Sequence, residues 1–133
     1  MRILSFQKEF KDKLLSGAKV STMRVHKRPH KEGDIVQVWC PSPRSGHGKK
    51  LFVAKIRAVQ KVEISFKVYM TERCPELIHN NLRVDGESLE DMAYMEGFYD
   101  SWEMFGWFET RYGSEPKEFT RYVFRKQGRG NNV

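Results

Sequence analysis

The stretch LFVAKIRAVQKVEISF, residues 51–66, limits the fold more tightly than any other part of the chain. Phe52, Ala54, Ile56 and Ala58 fall at every second position, with Lys55 and Arg57 between them. Val62, Ile64 and Phe66 resume the pattern after an expected bend near Gln60-Lys61. A period of two gathers apolar residues on one face of a strand, whereas a helix would scatter them around its axis. The segment IVQVWC repeats the device: Val36, Val38 and Cys40 share one face, and Ile35, Gln37 and Trp39 the other.

Around these runs the elements change type. RILSF (2–6) reads as a short strand. In QKEFKDKLLSG, Phe10, Leu14 and Leu15 recur at helical spacing and Gly17 supplies a C-cap. KVSTMRV reads as extended, with Val20, Thr22 and Val25 favouring a strand. HKRPHKEGD is a loop broken by Pro29 and Gly33-Asp34, and PSPRSGHGKK is a second loop. Residues 67–85 give no clear element. Two helices follow: one opens at Ser88 and ends at Gly97, the other runs from Asp100 or Ser101 to Gly113. In the second, Trp102, Phe105, Phe108 and Tyr112 form an aromatic stripe that predicts a buried face. FTRYVFRKQ closes the sheet, and residues 128–133 read as a flexible tail. The order predicts one α+β domain over residues 1–127, with a mixed, mainly antiparallel, barrel-like sheet and helices packed around it.

Charge narrows the function. There are 24 Lys and Arg against 17 Asp and Glu, a formal net charge of +7, which points to an anionic partner such as nucleic acid. Cys40 and Cys74 lie far apart with no C-x-x-C pair, which reads as reduced thiols in the cytoplasm. No apolar run approaches a membrane span, and the first ten residues carry charge too early for a signal peptide. The expectation is a soluble, cytoplasmic, monomeric chain that needs no metal or cofactor.

Local motifs offer candidates. RSGHGKK fails as a nucleotide-triphosphate loop, because Pro43 stands where the first glycine belongs and Lys50 where Ser or Thr belongs. It reads either as a basic loop that touches a nucleic-acid backbone through Arg44, Lys49 and Lys50, or as a solvated hairpin loop. His26 and His30 are spaced like ligands on a helix, but Pro29 breaks any helix there, so RVHKRPHK with Arg28 reads as a basic loop. Trp39 or Trp107 could stack a base if exposed. In AKVSTMR, a lysine, two hydroxyls and an arginine crowd together. A hydroxyl becomes a nucleophile when a neighbouring base takes its proton, and a lysine is that base when burial or nearby cations lower its pKa. Strict alternation would put Lys19, Ser21 and Met23 on one face and Thr22 and Arg24 on the other, so a shared site requires a backbone distortion. On spacing alone, a plain basic strand, with Thr22 there for its β-propensity, is the preferred reading.

LLSGAKVSTMR resembles the signature of the ASCH domain family of the PUA-like superfamily, an apolar helix end followed by G-x-K-x-x-T-x-R. EGDIVQVW resembles the family's G-D strand, and DMAYMEGFYDSWEMFGWFETRYG its acidic residue before Gly-Phe, then Ser-x-Glu and an aromatic helix. The resemblance implies a compact PUA-like β-barrel with a cleft facing the signature, and an RNA-related role. Its leading implication is a domain that binds RNA or a modified nucleotide in a basic cleft lined by Lys19, Thr22, Arg24 and Glu96. Ser21, Arg28, Arg44, Lys49 and Lys50 are further expected ligand contacts, although the loop PSPRSGHGKK that carries the last three departs from the family pattern. The first alternative is a small amidohydrolase acting on N4-acetylcytidine-type substrates; the second is a ribonuclease. In the amidohydrolase reading, Lys19 is the base, Thr22 attacks or activates water, and Glu96 orients Lys19 and relays protons. Arg24 binds a ligand oxygen or phosphate, or holds Glu96. Asp85, beside Gly86, competes with Glu96 for the acidic role.

Overall fold

The computed structural model describes residues 2–25 and 29–127. They form an α+β arrangement of one mixed sheet and three helices. The strands are β1 (Arg2–Ser5), β2 (Ser21–Arg24), β3 (Ile35–Trp39), β4 (Lys50–Tyr69), β5 (Glu72–His79), β6 (Leu82–Val84) and β7 (Lys117–Gln127). The helices are α1 (Lys11–Ser16), α2 (Gly86–Met95) and α3 (Ser101–Tyr112). β1 runs parallel to β3, and the other pairings are antiparallel.

The alternating run that dominates the sequence is one strand of 20 residues, without a turn at Gln60-Lys61. The irregularity comes earlier. Ile56 stands opposite Phe124 of β7, and Ala58 opposite Val123, so Arg57 is an inserted residue. Residues opposed across a ladder share a side of the sheet, so the bulge carries the even-numbered row of β4 from one face to the other. Ala58 therefore does not share a face with Ile56, as simple alternation expects. The result is a sheet buried on both sides of β7, where Phe119, Thr120, Arg121 and Tyr122 are all buried in succession. Phe124 and Ile56 belong to one side, and Phe119 and Val62 to the other. Phe119 meets Phe108 of α3 with ring centroids 5.1 Å apart.

Residues 67–85, unassigned from sequence, complete β4 and make β5 and β6. Asn80 and Asn81 both take positive φ and join β5 to β6 in a two-residue hairpin, a turn that tolerates asparagine. Helix α2 starts at Gly86, two residues ahead of the Ser88 cap expected, with Asp85 at its N-cap. The aromatic stripe of α3 is only partly buried: Phe105 and Phe108 are in the core, while Trp102 is 73% exposed. Among the described residues no helix is long and apolar enough to cross a membrane. The tail expected at 128–133 and the basic loop residues His26 and Arg28 lie outside the described residues.

β1 pairs only with β3, and β2 only with β7. No ladder joins β1 to β2 among the described residues, so the sheet is not closed into a barrel. A side chain spans the gap instead: Arg24 Nη2 donates to Ser5 O at 2.5 Å. The cleft described next lies along this gap.

Candidate functional site

The site is built on the end of α2. Gly97 has φ +97°, Gly97 N donates to Tyr94 O at 2.9 Å, and Phe98 N donates to Ala93 O at 3.0 Å. This pair of bonds is the turn a left-handed glycine makes at a helix C-terminus. It fixes Glu96 as the C-cap and turns three successive carbonyls toward residues 13–20. Met95 O accepts from Val20 N at 2.9 Å, Glu96 O from Lys19 Nζ, and Gly97 O from Lys13 Nζ at 2.6 Å. Two lysines thus sit at the helix end that carries partial negative charge.

Lys19 lies in the link between α1 and β2, before regular pairing begins at Ser21. The distortion that the sequence requires is therefore a late strand start. Thr22 and Arg24 share a side, with Arg24 Nε donating to Thr22 Oγ1 at 2.9 Å, and Lys19 reaches the same cleft from the link. Lys19 is 4% exposed. Its amine donates to Ser21 O at 2.8 Å and to Glu96 O, and lies 4.7 Å from the centroid of Phe10. Both hydrogen-bond partners are main-chain carbonyls; neither Thr22 nor a carboxylate is among them. Burial pulls the Lys19 pKa down to about 8, against the pull of Glu96 and helped by the cations Arg24, Arg121 and Lys13.

Glu96 is 1% exposed and Arg121 4%. Ser21 Oγ donates to Glu96 Oε2, and Arg121 Nε donates to the same oxygen from 3.1 Å. Arg121 Nη2 donates to Ser21 Oγ at 3.2 Å and Nη1 to Gln60 Oε1 at 2.8 Å. Through one oxygen the carboxylate thus ties the end of α2 to β2 and β7, and Arg121 carries the network on to β4. Among the described residues no bond falls on Oε1. Ser21→Ala removes two of these bonds and is expected to cost about 1–2 kcal/mol in denaturant unfolding; no change would mean that Arg121 alone holds Glu96.

The cleft has a volume of about 140 Å³. Lys19, Thr22, Arg24 and Glu96 line it together with Phe6 and Phe10. Phe98, Trp107, Arg111 and Tyr112 add the wall from the α3 side. Other expected site residues fall elsewhere. Ser21 is fully buried against Glu96 and does not line the cleft. Asp85 caps the opposite end of α2 from Glu96. Arg44, Lys49 and Lys50 are exposed on and after the turn at Pro43–Ser45, and none lines the cleft. Arg28 lies outside the described residues. Trp39 is only partly buried and spends its indole N–H on Gln37 Oε1 at 3.0 Å, so of the two tryptophans considered for stacking it is Trp107 that faces the cleft. Among the described residues no group of three or more His, Cys, Asp or Glu is placed to hold a metal ion.

Sequence reasoning did not find Arg121 or Lys13. Arg121 carried one signal: an arginine inside the run FTRYVF, if it faces the core there, requires a buried partner. Compared with known proteins, the chain matches no family model, no curated sequence and no solved structure.

Proposed function

We propose that the chain is an ASCH-type, PUA-like domain that binds RNA or a modified nucleotide, taking one base into the cleft along the open edge of β2. The observation that carries this reading is the joint placement of Lys19, Thr22, Arg24 and Glu96 among aromatic walls in one small cavity. Its volume of about 140 Å³ is well under the ~300–1,000 Å³ of pockets for drug-sized ligands, and suits a single heterocyclic ring. Aromatic walls stack the ring, and Glu96 Oε1, Thr22 and Lys19 offer polar contacts to its edge. The PUA-like barrel belongs to the same reading: β1 and β2 are facing ends, bridged by Arg24. Calorimetric titration with N4-acetylcytidine and with a short single-stranded RNA at low salt tests it. Heat of binding that Thr22→Val weakens is expected; no binding of either ligand sinks it.

The amidohydrolase reading draws on one specific observation, the amine of Lys19 with a pKa of about 8. A lysine near neutrality serves as a general base. The neutral amine is the active form, so kcat/KM for release of acetate from N4-acetylcytidine should rise about tenfold per pH unit below 8 and level off above it. Lys19→Arg keeps a cation but cannot deprotonate, and is expected to lose activity at least about 100-fold while still binding ligand. A pH-independent rate, or an active Lys19→Arg, would remove Lys19 as the base. The ribonuclease reading takes no residue from the loop cations at this cleft.

A further inference from the structure

The cleft carries more positive charge than a neutral ligand can balance. Among the described residues Lys19, Arg24 and Arg111 line it, and Glu96 is the one carboxylate that does so. Glu96 is already matched by Arg121, which stands behind the lining. Among the described residues neither Arg24 nor Arg111 has an ion-pair partner. Arg24 is held by neutral acceptors only. Thr22 Oγ1 engages Nε and Ser5 O engages Nη2, which leaves Nη1 without a bond. Arg111 is the one Lys or Arg in either α2 or α3, yet it pairs with none of the acids around it.

Both guanidinium groups are oriented by rings that also line the cleft. Arg24 lies 4.6 Å over Phe6, and Arg111 lies 4.5 Å over Trp107. A guanidinium packed against a ring is restrained by it and keeps edge donors available to bond elsewhere. Burial opposes the Arg24 charge, pulling its pKa down to about 10 against the raising pull of Tyr112, Glu96 and Tyr122, and among the described residues it has no ion-pair partner. An anionic ligand group would supply one. Phosphate fits best, because its oxygens match the planar fork of arginine.

We propose that Arg24 and Arg111 form a phosphate subsite at the cleft, taking the phosphate joined to the sugar of the base held inside. This rests on the nucleobase reading and narrows it: the ligand is phosphorylated, and a free nucleoside is the weaker ligand. A mononucleotide's terminal phosphate and an RNA phosphodiester share this chemistry.

Calorimetry with N4-acetylcytidine, its 5′-monophosphate, and a short single-stranded RNA carrying the same base internally tests the subsite. At least one phosphorylated ligand is expected to bind about tenfold or more tighter than the nucleoside, with an advantage that shrinks as salt rises. A gain for the monophosphate alone identifies a terminal phosphate; a gain for the RNA identifies a phosphodiester. Arg111→Gln, at an exposed position, should cut the phosphorylated ligand's affinity about tenfold and the nucleoside's less than about threefold. Arg24→Gln should act in the same direction, but it also loosens the β1–β2 bridge, so Arg111 is the decisive variant. Equal affinities for all three ligands, or an advantage that survives Arg111→Gln, overturns the subsite. Inorganic pyrophosphate separates the two ideas. Pyrophosphate binding that Arg111→Gln abolishes, with no nucleoside binding, keeps the subsite and discards the base; no binding of pyrophosphate or of any nucleotide discards both.

Discussion

Glu96→Ala is expected to destabilise the fold by about 3–5 kcal/mol, read as a lowered denaturation midpoint in urea with an unchanged slope. The cost comes from what the substitution leaves behind. Among the described residues Arg121, 4% exposed, loses its one carboxylate partner, and its donors retain Ser21 Oγ, Gln60 Oε1 and a weak contact to Met95 Sδ. A buried cation stripped of its partner costs far more than the pair contributed. Removing both charges avoids this, so Glu96→Leu combined with Arg121→Met should recover most of the loss. The coupling between the two sites is then several kcal/mol, well beyond the additivity of distant positions. A Glu96→Ala protein within about 1 kcal/mol of wild type would show that the ion pair carries little, and that the carboxylate is free for chemistry. The result bears on function. If the acid that the resemblance assigns to proton relay also ties α2 to the sheet, lost activity in Glu96→Ala alone cannot distinguish the two roles. The folded double variant can: it should be stable, and inactive if Glu96 takes part.

How much of this was legible follows from what each signal encodes. Period-two alternation located β3 and β4, because each buries alternate residues against one core. It failed at Arg57, since a bulge is a register relation between β4 and β7 and leaves no mark within β4 itself. Gly17 and Gly97 were legible as helix stops because both adopt positive φ, which side-chain-bearing residues disfavour. The β5–β6 hairpin was not, because Asn80-Asn81 lacks the glycine that marks most such turns. Trp102 misled because it stands three residues before Phe105, yet the buried face is the one shared by Ser101, Met104, Phe105 and Phe108, and Trp102 falls to the side of it, about 100° round the helix from Ser101. Lys19, Thr22 and Arg24 stood out by their chemistry and Glu96 by motif resemblance, and the geometry brings these four to one cleft. Their supports, Arg121 and Lys13, are long-range partners, 25 and 84 residues away from what they bind, so local pattern can at most flag Arg121 as needing a partner and names neither partner.

Gly97→Ala is the second large effect, and it tests how Lys19 is held. Two costs add. An alanine at φ +97° sits in left-handed backbone space, at about 1–2 kcal/mol. Its Cβ would also lie 2.9 Å from Lys19 Cδ and 3.2 Å from both Lys19 Cγ and Phe10 Cδ1. Lys19 has little freedom to yield, because its amine is pinned by Ser21 O and Glu96 O while its backbone N donates to Lys13 O at 3.0 Å. Overpacking of this kind costs about 1–3 kcal/mol, so the expected total is about 2–5 kcal/mol. Gly33→Ala supplies the comparison. Gly33 has φ +93° with nothing within 4 Å of a built Cβ, so it should show the backbone strain alone. The difference between the two variants measures contact with Lys19. A displaced Lys19 amine would also leave its carbonyl partners and regain water. Its ionisation, followed by NMR of the labelled side-chain nitrogen, should then move up from about 8 toward the ordinary lysine value of about 10.4. If Gly97→Ala costs no more than Gly33→Ala and the amine still titrates near 8, Gly97 is a helix stop and nothing more. If both quantities shift, the glycine after Glu96 is there because the lysine must pass beside it.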